Sequence, residues 1–481
     1  MLVHYMYIVL VFLHIFVIFG ILLLEDRNPT STLAWLLFLI FVPVFGLFTY
    51  LLFGPTRMRF IQKKAQFAYE TVSISLAKYN ISTNVNQLYQ NNKLPYRTYA
   101  LIKLAEQADS LPACSGNTCQ ILLNGQKTYQ AINEAIQNAK AHIHLEFYII
   151  QPDEIGVALR DLLCEKQSQG VEVRVLYDAI GSSALTTSFW QPLLDLGGYA
   201  YPFKPAIMSF GKRNDRIDFR NHRKMVIIDG RVGFTGGINV GKEHLGLSPS
   251  YGHWRDTHIK ICGPAVLCMQ QTFVESWFMT TKEVLDQQRY FPTTQQRQGN
   301  AIVDIAPSGP NSRWSTIFRI YFQAIAFAEE RVWITSPYFI PDATIKEVII
   351  TAALRGIDVR ILLPKKSDNL FIGGATRSYY RELLRAGVKI YEYKKGYIHA
   401  KTLVIDNWMG TIGSTNMDIR SFKLNFEINA FVYQKEFVEE LAQQFCYDLK
   451  EAHRINLHDY QHMRYSSRIF YSIARLFSPL L

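Results

Sequence analysis

Eighteen positions of this chain occur twice in the same grammar. Residues 222–239 give His222-x-Lys224, four residues, Asp229, six residues, then Gly236-Gly237-x-Asn239. Residues 399–416 give His399-x-Lys401, four residues, Asp406, six residues, then Gly413-Ser414-x-Asn416. A single His-x-Lys carries no information, but two copies agreeing at His, Lys, Asp, Gly and Asn mark a duplication. The chain is thereby restricted to folds that can be built twice. Each copy reads as strand, turn, strand: Met225 to Ile228 and Thr402 to Ile405 are apolar and largely β-branched, and Asp229-Gly230 and Asp406-Asn407 are turn pairs. Side chains two apart on a strand share a face, so His222 projects with Lys224 and His399 with Lys401. The return strands end in small residues, where backbone can approach a ligand closely. With Asn239 and Asn416, each copy offers an imidazole, an ammonium and an amide on one edge. That set suits a phosphate diester, which needs a nucleophile or acid, charge neutralisation and a hydrogen-bond donor.

The duplication extends beyond the motifs. His144 to Ile150 corresponds to Ile334 to Ile340, and Gly170 to Leu176 corresponds to Gly356 to Leu362. Helices open at Phe273-Val-Glu275 and at Phe437-Val-Glu439, and helical stretches cover Gln130 to Lys140 and Thr344 to Arg355. Strands alternating with helices predict an α/β fold of two similar lobes, 111–290 and 300–481, each with a largely parallel mixed sheet. The Gln-rich stretch Asp286 to Asn300 separates them. The first lobe is longer before its motif, 222 − 170 = 52 against 399 − 356 = 43, and again after it, through Glu243 to Trp254. Insertions of this kind belong in loops and are expected to shape the mouth of a shared site. Asp256 and Glu427 fall at matching places after each motif, where a carboxylate can hold the far nitrogen of a histidine. His142, His144, His244 and His258 have no duplicated counterpart and read as packing or surface histidines.

The ends of the chain have a different character. Tyr5 to Leu24 and Leu33 to Phe53 are charge-free runs of the length a helix needs to cross a bilayer. They predict a two-helix transmembrane hairpin within residues 1–55. The first run lacks the basic start and small-residue cleavage site of a signal peptide. The link between the runs has one basic residue, Arg27, whereas Arg57, Arg59, Lys63 and Lys64 follow the second run, which places the body in the cytoplasm. Residues 56–110 read as a partly helical connector. Residues 464–481 are basic and amphipathic, and either lie on an anionic leaflet or dock on the second lobe. A net charge of +11 suits an anionic partner. The six cysteines are scattered, without zinc spacing or a disulfide framework, so reduced thiols and no metal are expected.

The paired motifs resemble the HKD motifs of the phospholipase D superfamily. Within it, Pro29-x-x-Thr32-Leu33-Ala34-Trp35, Asn221-His222-Arg223-Lys224, Trp254-Arg255-Asp256 and Asp418-x-Arg420-Ser421-Phe422-x-Leu424-Asn425-x-Glu427 resemble the bacterial cardiolipin synthases. The resemblance runs to the closing Ser478-Pro479-Leu480-Leu481. It implies two phospholipase D-like lobes behind a multi-pass anchor in the bacterial cell membrane. It also implies transfer of a phosphatidyl group between two phosphatidylglycerols, giving cardiolipin and glycerol through a phosphatidyl-histidine, with no cofactor or metal. The implied partners are phosphatidylglycerol and anionic membrane lipid, not nucleic acid, and the motifs of one chain leave the oligomeric state open. The implied catalytic residues are His222, Lys224, Asp229, His399, Lys401 and Asp406, with Asn239 and Asn416 on the substrate phosphate and Asp256 and Glu427 as orienting carboxylates. Family analogy makes His222 the nucleophile and His399 the acid/base, although the repeat is formally symmetric. Asp229 and Asp406, at turns off the His-Lys face, are expected to orient rather than react. Other phospholipase D-type phosphatidyltransferases, phospholipases and a membrane-tethered nuclease would use the same motifs. A non-enzymatic lipid-binding protein is disfavoured because both motifs are intact.

Overall fold

The computed structural model describes residues 2–24, 29–53, 55–79, 85–108, 110–186, 188–203, 219–292, 299–310, 312–461 and 463–478. The chain divides into two units, residues 1–63 with 206–217, and residues 64–205 with 218–481. In the first unit, α1 spans Leu2–Leu24, α2 Pro29–Phe41 and α3 Pro43–Phe53. The second apolar run is therefore not the single helix expected. Proline has no N–H to continue the ladder and disfavours helical backbone in the residue before it, so the run breaks at Val42. Leu39, Leu47 and Tyr50 are buried together, with the Trp35 ring edge-on to Tyr50 at 5.3 Å. Among the described residues, no helix is long and apolar enough to cross a membrane. The link at 25–28 lies outside the described residues.

The stretch read as a partly helical connector carries α4 (Pro55–Leu76), α5 (Val85–Gln90) and α6 (Tyr96–Gln107). Ala68, Val72 and Leu76 join the central core, while Leu101 and Ala105 pack with Ile317 and Ile320 of the second lobe. Apolar residues three and four apart on these helices make that burial possible.

The strands of the first repeat are β1 (Cys114–Leu123), β2 (His142–Phe147), β3 (Glu172–Asp178), β4 (Tyr199–Phe203), β5 (Lys224–Ile228), β6 (Val232–Gly236), β7 (His253–Arg255) and β8 (Thr257–Cys262). Those of the second are β9 (Ala301–Ser308), β10 (Arg331–Thr335), β11 (Phe339–Ile340), β12 (Asp358–Pro364), β13 (Lys389–Tyr393) and β14 (Gly396–Ile398). After them come β15 (Thr402–Ile405), β16 (Met409–Gly413), β17 (Met417–Asp418), β18 (Glu427–Val432) and β19 (Ala452–Arg454). From the outside inward, β4-β3-β2-β5-β6-β8-β1 repeats as β13-β12-β10-β15-β16-β18-β9, with β19 added beyond β13. β1 pairs antiparallel with β9, so the lobes share one 15-stranded sheet.

That sheet is mixed, but not largely parallel. Parallel pairs occur where a helix carries the chain back over the sheet, at β2-β3-β4 and β10-β12-β13. Elsewhere, tight hairpins such as β5-β6 and β15-β16 impose antiparallel neighbours, and the strands beyond them follow. The helix holding Phe273 also differs from expectation: it spans Ala265–Thr281, beginning 273 − 265 = 8 residues earlier. Its Met269, Phe273 and Trp277 are buried in the core with Met225 and Ile227 of β5. In the tail, helix Tyr465–Leu476 docks on the second lobe: Ala474 is buried, and the Phe470 ring lies 5.8 Å from Phe371 of helix Leu370–Ser378. Tyr465, Ile469, Ile473 and Leu476 remain exposed on its outer face.

Candidate active site

Each motif hairpin has two working ends. At the turns, Asp229, Gly230 and Asp406 adopt positive φ of 54°, 62° and 47°. The Asp229 carboxylate accepts backbone N–H groups of Lys140, Ala141 and His142 at 2.9, 2.7 and 2.9 Å. Asp406 does the same for Glu329, Glu330 and Arg331 at 3.1, 2.8 and 2.9 Å. Each aspartate thus staples its hairpin to the start of the neighbouring strand, β2 or β10. Neither is among the residues that line the cavity holding the histidines.

The other ends of both hairpins meet at one cavity of about 710 Å³, lined by His222, His399, Asn239 and Asn416 among others. The two lobes are laced together beside it. The backbone N–H of His222 donates to Phe426 O at 2.9 Å, and that of His399 to Arg255 O at 2.7 Å. β7 and β14, one from each lobe, run parallel to each other.

This lacing crosses the carboxylates. His222 Nδ1 lies 2.9 Å from Glu427 Oε2, and His399 Nδ1 lies 2.8 Å from Asp256 Oδ2. Each histidine is therefore held by the opposite lobe. A carboxylate on Nδ1 fixes the Nδ1–H tautomer and leaves the Nε2 lone pair for chemistry. Glu427 is itself held by the Ser414 hydroxyl and, at 3.3 Å, by Asn425 Nδ2. Asp256 accepts the Thr257 N–H at 2.8 Å and the Trp254 indole N–H at 3.4 Å. Gly237 stands where the second motif has Ser414, and a Cβ there would run into Asp256 Oδ1.

The lysines are buried beneath the histidines. Lys224 Nζ donates to His222 O at 2.7 Å, and Lys401 Nζ to His399 O at 2.6 Å. Burial pushes Lys224 down to about 7 and Lys401 down to about 8. Burial also pushes His222 down to about 4, with Lys224 adding to it and Glu427 opposing. For His399, burial and then Lys401 bring the value to about 3. Burial pushes the Asp256 and Glu427 carboxyls up, but the paired histidine, the neighbouring lysine and further hydrogen bonds or charges together outweigh it, and both end below their ordinary range. The site thus holds two neutral imidazoles over two carboxylates. Asn239 Oδ1 accepts the Ile149 N–H at 3.3 Å, whereas buried Asn416 Oδ1 has no partner among the described residues. Among the described residues, no group of three or more His, Cys, Asp and Glu is placed to hold a metal ion.

Some residues of the cavity escaped the sequence argument. Tyr148 sits edge-on to His222 at 4.8 Å, with Lys224 Nζ 5.2 Å from its ring centre. Its signal was available, because Tyr148 and Tyr338 occupy equal places in the paired segments and both line the cavity. His244, in the first-lobe insertion, also lines it, beside His399. His142 and His144 share Gln270, and His258 Nδ1 receives the Ile238 N–H at 3.4 Å, so these three pack as expected.

A family model described as "Cardiolipin synthase, PLD-like domain" matches residues 132–249 and 321–449. A second, "Phospholipase_D-nuclease N-terminal", matches residues 12–55. "Cardiolipin synthase 2" of Bacillus anthracis is 41% identical over 475 residues, covering 97% of this chain and 90% of that protein. "Cardiolipin synthase" of Listeria monocytogenes is 37% identical, covering 99% of both. Among solved structures, the phosphatidylserine synthase of Haemophilus influenzae Rd KW20 has the same fold, with a TM-score of 0.59 at 14% identity over 79% of this chain and 100% of that one.

Proposed function

Since this chain belongs to the cardiolipin synthases with phospholipase D-like domains, we propose that it moves a phosphatidyl group from one phosphatidylglycerol to another, releasing glycerol. The observation that carries the reading is the crossed pairing, which leaves two Nε2 atoms in one cavity. In the first step His222 Nε2 forms a bond to phosphorus, the bond from phosphorus to the glycerol oxygen breaks, and His399 gives that oxygen its proton. In the second, a hydroxyl of the incoming glycerol headgroup returns a proton to His399 and bonds to phosphorus. The phosphorus–nitrogen bond breaks, and its electron pair goes back to His222. Lys224, Lys401, Asn239 and Asn416 neutralise and hold the phosphate oxygens throughout. A phosphodiester in the cavity brings a negative charge that favours the ammonium forms of both lysines and the imidazolium of His399. Attack is given to His222 by the family resemblance.

The same reading puts the enzyme at the bacterial membrane, anchored by a hairpin of the charge-free runs 5–24 and 33–53, with the catalytic unit in the cytoplasm. The basic residues Arg57, Arg59, Lys63 and Lys64 support that orientation. A tag between Arg27 and Asn28 should react with an impermeant reagent from outside, and one after Lys64 should not.

The test of function is direct. Purified protein on phosphatidylglycerol vesicles should yield cardiolipin and glycerol, His222→Ala and His399→Ala proteins should not, and DNA should remain intact. Cleaved DNA with unchanged lipid would select the nuclease reading instead.

A further inference from the structure

His244 is buried, 2% exposed, yet it lines the cavity, and neither ring nitrogen has a hydrogen-bond partner among the described residues. Glu243 Oε1 approaches Nε2 only to 3.7 Å, beyond hydrogen-bond reach. Leaving two buried polar atoms unsatisfied is costly unless a ligand satisfies them. The ring sits 4.6 Å from Trp254 and 6.4 Å from His399, centre to centre, and Trp254 and Tyr397 flank His399 at 5.2 and 6.0 Å. His244 comes from the first-lobe insertion and Tyr397 from β14 of the second lobe, so this corner exists only where the lobes meet.

Burial, and then neighbouring His399, push His244 well below its ordinary value and keep it neutral. A neutral imidazole offers one donor and one acceptor, the complement of a hydroxyl and a poor match for a phosphate already served by two lysines. The aromatic wall beside it can cover the C–H face of a polyol. Its place next to His399 is where a glycerol oxygen must receive, and later give up, a proton.

From this arrangement we infer that His244, with Trp254 and Tyr397, forms the seat of the glycerol headgroup, occupied first by the leaving glycerol and then by that of the acceptor lipid. The inference rests on the phosphatidyl-transfer reading above. The first-lobe insertion thereby acquires a role in specificity, because its His244 selects a polyol over water and over plain alcohols.

The test is a competition. Wild-type enzyme on phosphatidylglycerol vesicles receives equal concentrations of isotope-labelled glycerol and 1-propanol, and mass spectrometry reads labelled phosphatidylglycerol against phosphatidylpropanol. Wild type should favour glycerol. In His244→Ala that preference should fall by about five- to tenfold, the worth of a neutral hydrogen bond or two, with more phosphatidic acid from water. His244→Gln, which keeps a donor and an acceptor, should retain most of it. The product ratio does not depend on how much enzyme folds. A wild-type ratio in His244→Ala, or equal losses in Ala and Gln, overturns the seat. If Ala abolishes transfer, Gln decides alone: a retained preference supports the seat and a ratio near one overturns it. If wild type transfers to no alcohol and forms no cardiolipin, the phosphatidyl-transfer reading itself fails.

Discussion

The two motif hairpins carry the same His, Lys, Asp, Gly and Asn, yet their histidines sit in unlike surroundings. Among the described residues His222 has one aromatic neighbour, Tyr148, and a carboxylate, Glu427, held by a serine hydroxyl and an asparagine amide. His399 is ringed by Trp254, Tyr397 and His244, and its Asp256 is held by a backbone N–H and an indole. A duplicated sequence is symmetric until its insertions and neighbours break the symmetry. On the proposed reading, the second histidine has the furnished side, where glycerol would come and go, and the first has the side that would hold phosphorus.

The largest effects should come from uncrossing the pairs. Glu427→Gln and Asp256→Asn each replace a carboxylate by a neutral amide, which no longer stabilises the histidine's cation and, offering an N–H as well as an oxygen, no longer enforces its tautomer. Each should lower kcat by about 10²–10⁴-fold with little change in KM. The comparison sharpens in the trapped intermediate. Glu427→Gln should slow its formation, and Asp256→Asn should slow its resolution as well. Rapid-quench kinetics would separate the two.

Next come Gly237 and Ser414, which share one motif position. Gly237→Ala drives a methyl into Asp256 and should cripple the His399 half of the cycle. Ser414→Ala removes one donor from Glu427 and the acceptor of the Ile428 N–H, and should cost about tenfold or less in kcat. Equal losses would mean the two carboxylates are held alike.

Acid and alkali should act on stability and activity in different combinations. Both histidines sit below 6.5 when folded, so as pH falls from about 6.5 toward 4 the unfolded chain takes up protons first. Stability is lost in that window, and the lowered carboxylates add to the loss below it; kcat/KM falls as the nucleophile protonates. On the alkaline side Lys224, at about 7 when folded, is neutral while the unfolded chain still binds a proton up to about 10.5. Stability should therefore rise through that window while kcat/KM falls with the lost ammonium. Lys224→Arg, charged throughout, should move the alkaline limb toward that of Lys401, at about 8. Denaturant titration beside a pH–rate profile would show the opposed slopes.

The smallest effects belong to the turns. Asp229→Ala and Asp406→Ala each remove the acceptor of three backbone N–H groups outside the cavity. Each should cost about 1–3 kcal/mol in urea unfolding and leave KM nearly unchanged. Asp406 should cost more, since it also accepts the Trp408 indole N–H at 3.2 Å.

What the sequence made legible was local. The hairpins and their turn aspartates follow from spacing within 18 residues. The crossing could not be read, because Glu427 lies 205 residues from His222 and Asp256 lies 143 from His399. Which histidine each carboxylate serves is decided only when Phe426 and Arg255 pair across the lobes. Strand direction failed for a related reason: alternation of helix and strand announces crossovers, but the hairpins at the centre turn the remaining neighbours antiparallel. His244 was hidden by the duplication itself. Comparing copies rewards residues present twice, and His244 stands in an insertion present once.

On the proposed reading, His222 carries the phosphatidyl group and His399 moves the protons. Labelled phosphatidylglycerol, acid quench and peptide mapping of His399→Ala test it most directly. Glycerol leaves slowly without its acid, and the acceptor attacks slowly without its base, so label should accumulate on His222, resolving about 10²–10⁴-fold more slowly than in wild type. A His222→Ala protein should trap nothing. Label on His399 in the His222 variant would reverse the assignment, and no label in either would mean that the acceptor displaces glycerol directly.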